Sequence, residues 1–209
     1  MSSSTTLDFS MFYQLSDPLA NRPLRITVRG YSDWVSSEYA WKLFRGEATQ
    51  EQPIKLGGYM GRQVTEFLWS DLVHIFCVSS SIMESFRSKE ITGWSTYSVE
   101  VYGRKGELIP GYHGFSVTGG ECRRDRSRSQ IFNRQAVPGG KPGGVYKGFY
   151  FYEEDWDGSD IFRVSSFGGT VVTEKVFKIL DKVKSKNVML IPLPEVEIDV
   201  LLDKYDKGT

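Results

Sequence analysis

With 209 residues, 40% of them hydrophobic and 14% aromatic, the chain is long enough to bury a core without disulfide or metal support, and its aromatic share favours strands and interfaces. Its 26 Lys plus Arg against 26 Asp plus Glu leave a formal net charge of zero, which excludes a globally basic nucleic-acid binder and leaves only a local patch for that role. Two cysteines, Cys77 and Cys122, with no CxxC pair exclude a disulfide scaffold.

The first eight residues are polar and read as a disordered tail. They lack the basic-then-apolar order of a signal peptide, and no run approaches the ~18 apolar residues of a membrane span. The expected location is cytoplasmic. Short alternating runs at Phe12–Leu15 and Leu24–Val28 predict strands, with Asp17-Pro18 and Asn21-Arg22-Pro23 turning the chain between them. Ser36–Arg45 reads either as a short helix or as an aromatic-rich strand.

Leu72–Val78 is an apolar run of strand length holding His74 and Cys77. Ser79 is placed to cap a helix whose inner face is Ile82, Met83 and Phe86. Tyr97, Val99 and Val101 then alternate as one strand, and Gly103-Arg-Lys-Gly106 predicts a hairpin turn. Pro138–Gly144 is rich in Gly and Pro and reads as a mobile loop. Tyr146–Tyr152 reads as an aromatic strand.

Ile161–Val164 and Thr170–Val172 predict further strands. Thr173 caps a helix with Val176, Phe177, Leu180 and Val183 inward, and Val188–Leu193 closes as a strand. Laying Val172-Thr173 over Val78-Ser79 aligns the two helix faces, so the chain carries either a duplicated strand–helix–strand unit or two ordinary units that look alike. After Pro194 the sequence is acidic with apolar interruptions, a last strand or a docked extension. The fold class is α+β, mostly antiparallel sheet with two or three helices, as a single domain over 9–209; a division into two halves near 103–120 is the alternative.

The histidines, His74 and His113, have no partner at HxH or HxxxH spacing, so no metal site and no cofactor are expected. His74 reads as a hydrogen-bonded structural residue and His113 as a residue in an accessible turn. Cys77 reads as buried, whereas Cys122 lies among charges and could be exposed. No GxSxG, Walker-type or GxGxxG pattern occurs. Two charged clusters remain. Arg123, Arg124, Arg126 and Arg128 form a dense arginine run whose forked guanidiniums suit carboxylate or phosphate. Asp155, Trp156 and Asp157 lie in its acidic counterpart, and the two clusters could also pair with each other.

Three stretches in order carry a resemblance: Leu72–Phe86; Trp94–Tyr102 running to Gly111–Gly114; and Asp160–Arg163 with Val172-Thr-Glu through Leu190-Ile-Pro-Leu193. Together with Tyr13-Gln-Leu15 they resemble a family of bacterial immunity proteins, first described as a domain of unknown function and later linked to polymorphic toxins. The resemblance implies stoichiometric inhibition of a cognate protein toxin without chemistry of its own, and it supplies no catalytic residues. The arginine run and the Gly/Pro loop have no counterpart in it. The expected partner surface is Arg123, Arg124, Arg126, Arg128, Asp155, Trp156 and Asp157. The competing reading is an enzyme of unrecognised class near His113, Glu121 and Cys122, which requires those groups to converge in one pocket.

Overall fold

Local chemistry sets many of the element boundaries in the computed structural model, which describes residues 7–135, 142–164 and 169–200. Asp8 caps a single 3-10 turn, Phe9–Met11, that feeds β1 (Phe12–Ser16). After the Pro-rich turns comes β2 (Arg25–Thr27). Ser36–Arg45 resolves to a helix, α1 (Ser37–Arg45). Ser36 Oγ accepts the Tyr39 N–H at 3.1 Å, and Gly46, at φ 72°, ends it in the left-handed conformation that glycine adopts without strain.

The chain continues through β3 (Ile54–Met60), β4 (Phe67–Trp69), β5 (Phe76–Ser79) and α2 (Ser80–Ser88). Then follow β6 (Trp94–Tyr97), β7 (Val99–Tyr102), β8 (Leu108–Ile109), β9 (Tyr112–Val117) and β10 (Glu121–Cys122). The last part holds β11 (Gln130–Gln135), β12 (Pro142–Lys147), β13 (Ile161–Val164), β14 (Gly169–Thr173), α3 (Glu174–Lys182), β15 (Met189–Pro192) and β16 (Glu197–Asp199). Among the described residues three helices and a set of largely antiparallel sheets make this an α+β protein.

Two of the sheets share one plan. In β4-β5-β9-β6, the strands β5 and β6 flank the antiparallel β9, and α2 crosses from one to the other. In β13-β14-β1-β15, the strands β14 and β15 flank the antiparallel β1, and α3 makes the crossover. Even the register agrees: Val78 pairs with His113 as Val172 pairs with Tyr13, and Phe67 pairs with Val78 as Ile161 pairs with Val172. The strand–helix–strand correspondence seen in the sequence is therefore a correspondence of two split β-α-β units. The units differ in the source of the middle strand, which lies after the helix in the first and near the start of the chain in the second.

The helices pack against each other, and one buried cluster runs through both units, from Phe67, Val78, Ile82, Phe86 and Phe115 to Ile161, Val172, Val176 and Leu180. Burying a side chain such as Phe86, 1% exposed, is worth about 1.5–3 kcal/mol. A second cluster lies under β2, β3 and α1. A third collects Phe9, Phe12, Phe149, Phe151 and Phe162, with Phe151 edge to face against Phe9, Phe12 and Phe162. At the seam between the units, Ile161 N–H donates to Thr92 O at 3.1 Å, and Thr118 and Gly119 N–H donate to Gly93 O at 2.9 and 3.0 Å.

Several expectations change. Leu7 and Asp8 belong to the folded body: Leu7 N–H donates to Glu153 Oε2 at 3.0 Å and Asp8 Oδ1 accepts from Ser10 N–H at 3.0 Å; the remaining tail, 1–6, lies outside the described residues. Leu72–Ile75 is a turn, not strand, because His74 takes φ 73°, and its ring packs on Trp41 and Phe44 at 4.3 and 5.2 Å instead of hydrogen-bonding. The alternation at Tyr97–Val101 spans two strands of different sheets. The switch falls at Ser98, whose backbone N–H and C=O are both taken by the Gln50 amide, at 2.8 and 2.6 Å. Pro142–Gly144 of the expected loop form the start of β12 against Asn133–Gln135, with proline at the first strand position where a missing donor is tolerated; residues 138–141 lie outside the described set. Strand β12 stops at Lys147 because Gly148 takes φ 94°, so Phe149–Tyr152 is not strand-paired apart from a bridge of Phe151 to Arg124. Cys122 is fully buried. No helix among the described residues is long and apolar enough to cross a membrane.

Candidate functional site

The arginine run and the acidic run meet through Arg123 and Arg128. Arg123 forms a forked pair with Asp155, Nε to Oδ2 at 2.8 Å and Nη2 to Oδ1 at 2.9 Å, and reaches Glu154 at 3.3 Å. Its guanidinium covers the Tyr152 ring at 4.8 Å. The Arg123 hydrogen bonds hold the Asp155 carboxyl below its ordinary range. Arg128 pairs with Glu153 at 3.0 Å and lies over the Phe9 ring at 4.7 Å.

The remaining members of the set are built inward. Arg124 is buried between the rings of Tyr146 and Phe149, at 5.3 and 5.2 Å. Trp156 packs edge-on against Phe12 at 5.1 Å and donates its indole N–H to Ser159 O at 3.0 Å. Asp157 accepts the N–H groups of Gly120 and Ser159, both at 2.9 Å. Arg126 sits half-buried in a 3-10 turn, Arg126–Arg128. The seven residues therefore cluster around one strap, and its geometry fastens the 121–129 segment to the 149–159 segment.

The groups of the enzymatic alternative divide between two places. Glu121 is the counter-ion of Arg163, buried at 3.7 Å, and lies 3.9 Å from Arg45. Arg163 also donates to the Val117 carbonyl, so this cation ties β13 to β9. Burial pushes the Cys122 thiol up to about 12, which leaves it without thiolate character near neutrality. His113 lies half-buried on β9, where Nε2 bonds Ser80 Oγ at 3.1 Å at the start of α2. Ser80 Oγ also donates to Gly111 O at 3.2 Å. His113 makes no hydrogen bond or ion pair with Glu121 or Cys122.

A site that the sequence reading did not single out lies at the far end of the sheet β2-β3-β7-β8. It is a cleft of about 540 Å³ lined by Leu24, Arg62, Val64, Gly103, Arg104, Lys105, Glu107 and Ile109. One wall is the β7–β8 turn, closed by Gly103 N–H to Glu107 O at 2.7 Å and Gly106 N–H to Gly103 O at 3.0 Å. The other is the 61–64 segment, pinned by Arg62 and Gln63 N–H to Arg22 O at 3.0 and 3.1 Å. Between the walls Gly58 has no side chain to fill the floor; a Cβ there would meet Leu24 at 2.7 Å and the Arg104 backbone N at 3.2 Å. Val64 is 48% exposed at the cleft, and Leu108, 58% exposed, neighbours lining residues Glu107 and Ile109. The Gly103–Gly106 motif marked the turn, but the opposite wall of the cleft is a segment roughly forty residues earlier, a non-local pairing that short motifs cannot report. No group of three or more His, Cys, Asp or Glu that could hold a metal ion occurs among the described residues.

No known family model matches the chain, and no curated protein matches its sequence.

Proposed function

We propose that the protein acts by stoichiometric binding of another protein, and that this partner is a toxin which it neutralises inside the cell that makes both. The observation that carries the reading is the contrast between the strap and the cleft. In the strap Arg123 pairs with Asp155 and Glu154 and Arg128 with Glu153, whereas Arg62, Arg104 and Lys105 at the cleft have no ion-pair partner among the described residues. Exposed aliphatic side chains beside unpaired cations make a surface that a complementary protein can desolvate and pair. The family resemblance of Tyr13–Leu15 and Leu72–Leu193 supports a toxin as that protein.

The test is recovery of a tagged chain from its native host, with mass spectrometry of what accompanies it and growth of cells expressing the recovered protein with and without this chain. A single stoichiometric companion that arrests growth only in the absence of this chain is the expected result. Recovery of no companion from cells expressing the neighbouring genes overturns the reading.

A further inference from the structure

We infer that the cleft between the β7–β8 turn and the 61–64 segment is a docking groove for an acidic segment of a protein partner, one in which carboxylates alternate with aliphatic side chains. The inference rests on the binding role proposed above and specifies what is gripped.

Both walls are held by backbone hydrogen bonds, so the groove is formed before anything enters and a ligand need not order it. Its lining sets three cations, Arg62, Arg104 and Lys105, against one carboxylate, Glu107. That carboxylate is tied to its own turn, where Glu107 Oε2 accepts the Lys105 N–H at 3.0 Å. Elsewhere on the surface many exposed cations have a neighbouring acid, as in Lys42 with Glu38 at 2.8 Å, Lys178 with Glu174, and Arg123 with Asp155. In a chain with equal formal charges of both signs, three cations against one carboxylate around one concavity leave a net positive local field, which attracts and orients an anionic partner.

The apolar half of the lining selects among anions. Leu24 forms the floor, 2% exposed, with Ile109 beside it and Val64 on the rim. A phosphate chain gains nothing from those side chains, and the lining contains no aromatic ring on which a nucleic-acid base could stack. An acidic peptide uses both halves: its carboxylates meet the guanidinium forks and its aliphatic residues cover Val64 and Ile109.

The test uses the full chain and fluorescence anisotropy of a short fluorescein-labelled peptide alternating Glu with Leu. Its Gln–Leu counterpart and a labelled oligothymidylate are the comparison probes. The expected result is saturable, salt-sensitive binding of the Glu–Leu peptide alone. Binding should weaken at least ~10-fold in the triple variant Arg62→Glu, Arg104→Glu, Lys105→Glu and persist in Lys42→Glu, Lys178→Glu. If the reversed variant does not fold, as read by its thermal transition, the neutral triple Arg62→Gln, Arg104→Gln, Lys105→Gln replaces it. Absence of Glu–Leu binding, equal binding of the Gln–Leu peptide, tighter binding of the oligothymidylate, or insensitivity to the substitutions overturns the inference. Groove binding by a chain that recovers no toxin sinks the immunity reading and sustains the groove. A toxin complex untouched by the triple substitution does the reverse.

Discussion

Replacing Gly93 with alanine tests how the two split units are joined. Gly93 has φ 83°, and a Cβ there would lie 1.9 Å from the Ile161 carbonyl oxygen and 2.9 Å from Ser159 Cβ. Gly106 provides the matched control, because it has φ 82° and a Cβ there would meet nothing within 4 Å. Both substitutions force a left-handed alanine, costing about 1–2 kcal/mol. Only Gly93→Ala adds overpacking against backbone, about 1–3 kcal/mol more, for a total of about 2–5 kcal/mol. At about 2–4 °C per kcal/mol for a chain of this size, the Gly93 variant should melt about 4–20 °C lower and the Gly106 variant about 2–8 °C lower. Tryptophan fluorescence in urea and heat reports both, since Trp94 stacks on Phe115 at 5.8 Å beside the seam. If the two variants lose the same stability, the seam has room to open, and the account of a rigid junction at Ile161 fails.

Two further predictions concern titratable groups. Burial pulls His74 down to about 4, so the unfolded chain binds a proton there that the folded chain refuses. The stability that depends on neutral His74 is full above its ordinary value of 6.5 and is lost as pH falls through the window down to about 4. His74→Asn, which keeps a residue tolerant of positive φ, should lose less stability over that window than the native chain in urea titrations; parallel pH profiles would refute the assignment. Cys77 and Cys122 are both buried and both have their thiols pushed up by burial, so an aromatic disulfide reagent should leave the native chain unlabelled at mildly alkaline pH and label both thiols in denaturant. Prompt labelling of the native chain would show that the core around them opens.

Periodicity found the elements whose partners lie close in the chain or whose inner face is strongly marked. Ile82, Met83 and Phe86 gave α2 its buried side, and the alignment of Val172-Thr173 on Val78-Ser79 anticipated a shared plan. What failed depended on contacts that no local window contains. Tyr97–Val101 looks like one strand because the Gln50 amide that diverts Ser98 is far upstream. His74 looks like a strand residue because its positive φ follows from the place Trp41 and Phe44 make for its ring. The arginine run was legible as a cluster, and its pairing with the acidic run was foreseeable from charge alone. The cleft was not, because an unpaired charge is visible only once every neighbour has been placed.

The shared plan of the two units has a consequence for synthesis. Strand β9 follows β5 and β6 closely, so the first unit has its middle strand to hand soon after its helix emerges. Strand β1 emerges near the beginning, yet its partners are Thr170–Thr173 and Met189–Pro192. At roughly 5–20 residues per second, β1 waits on the order of ten seconds with both edges and its apolar face unmatched. Such long-range closure slows folding and lengthens exposure to aggregation. A nascent chain halted before α3 is thus the species for which a chaperone would matter most.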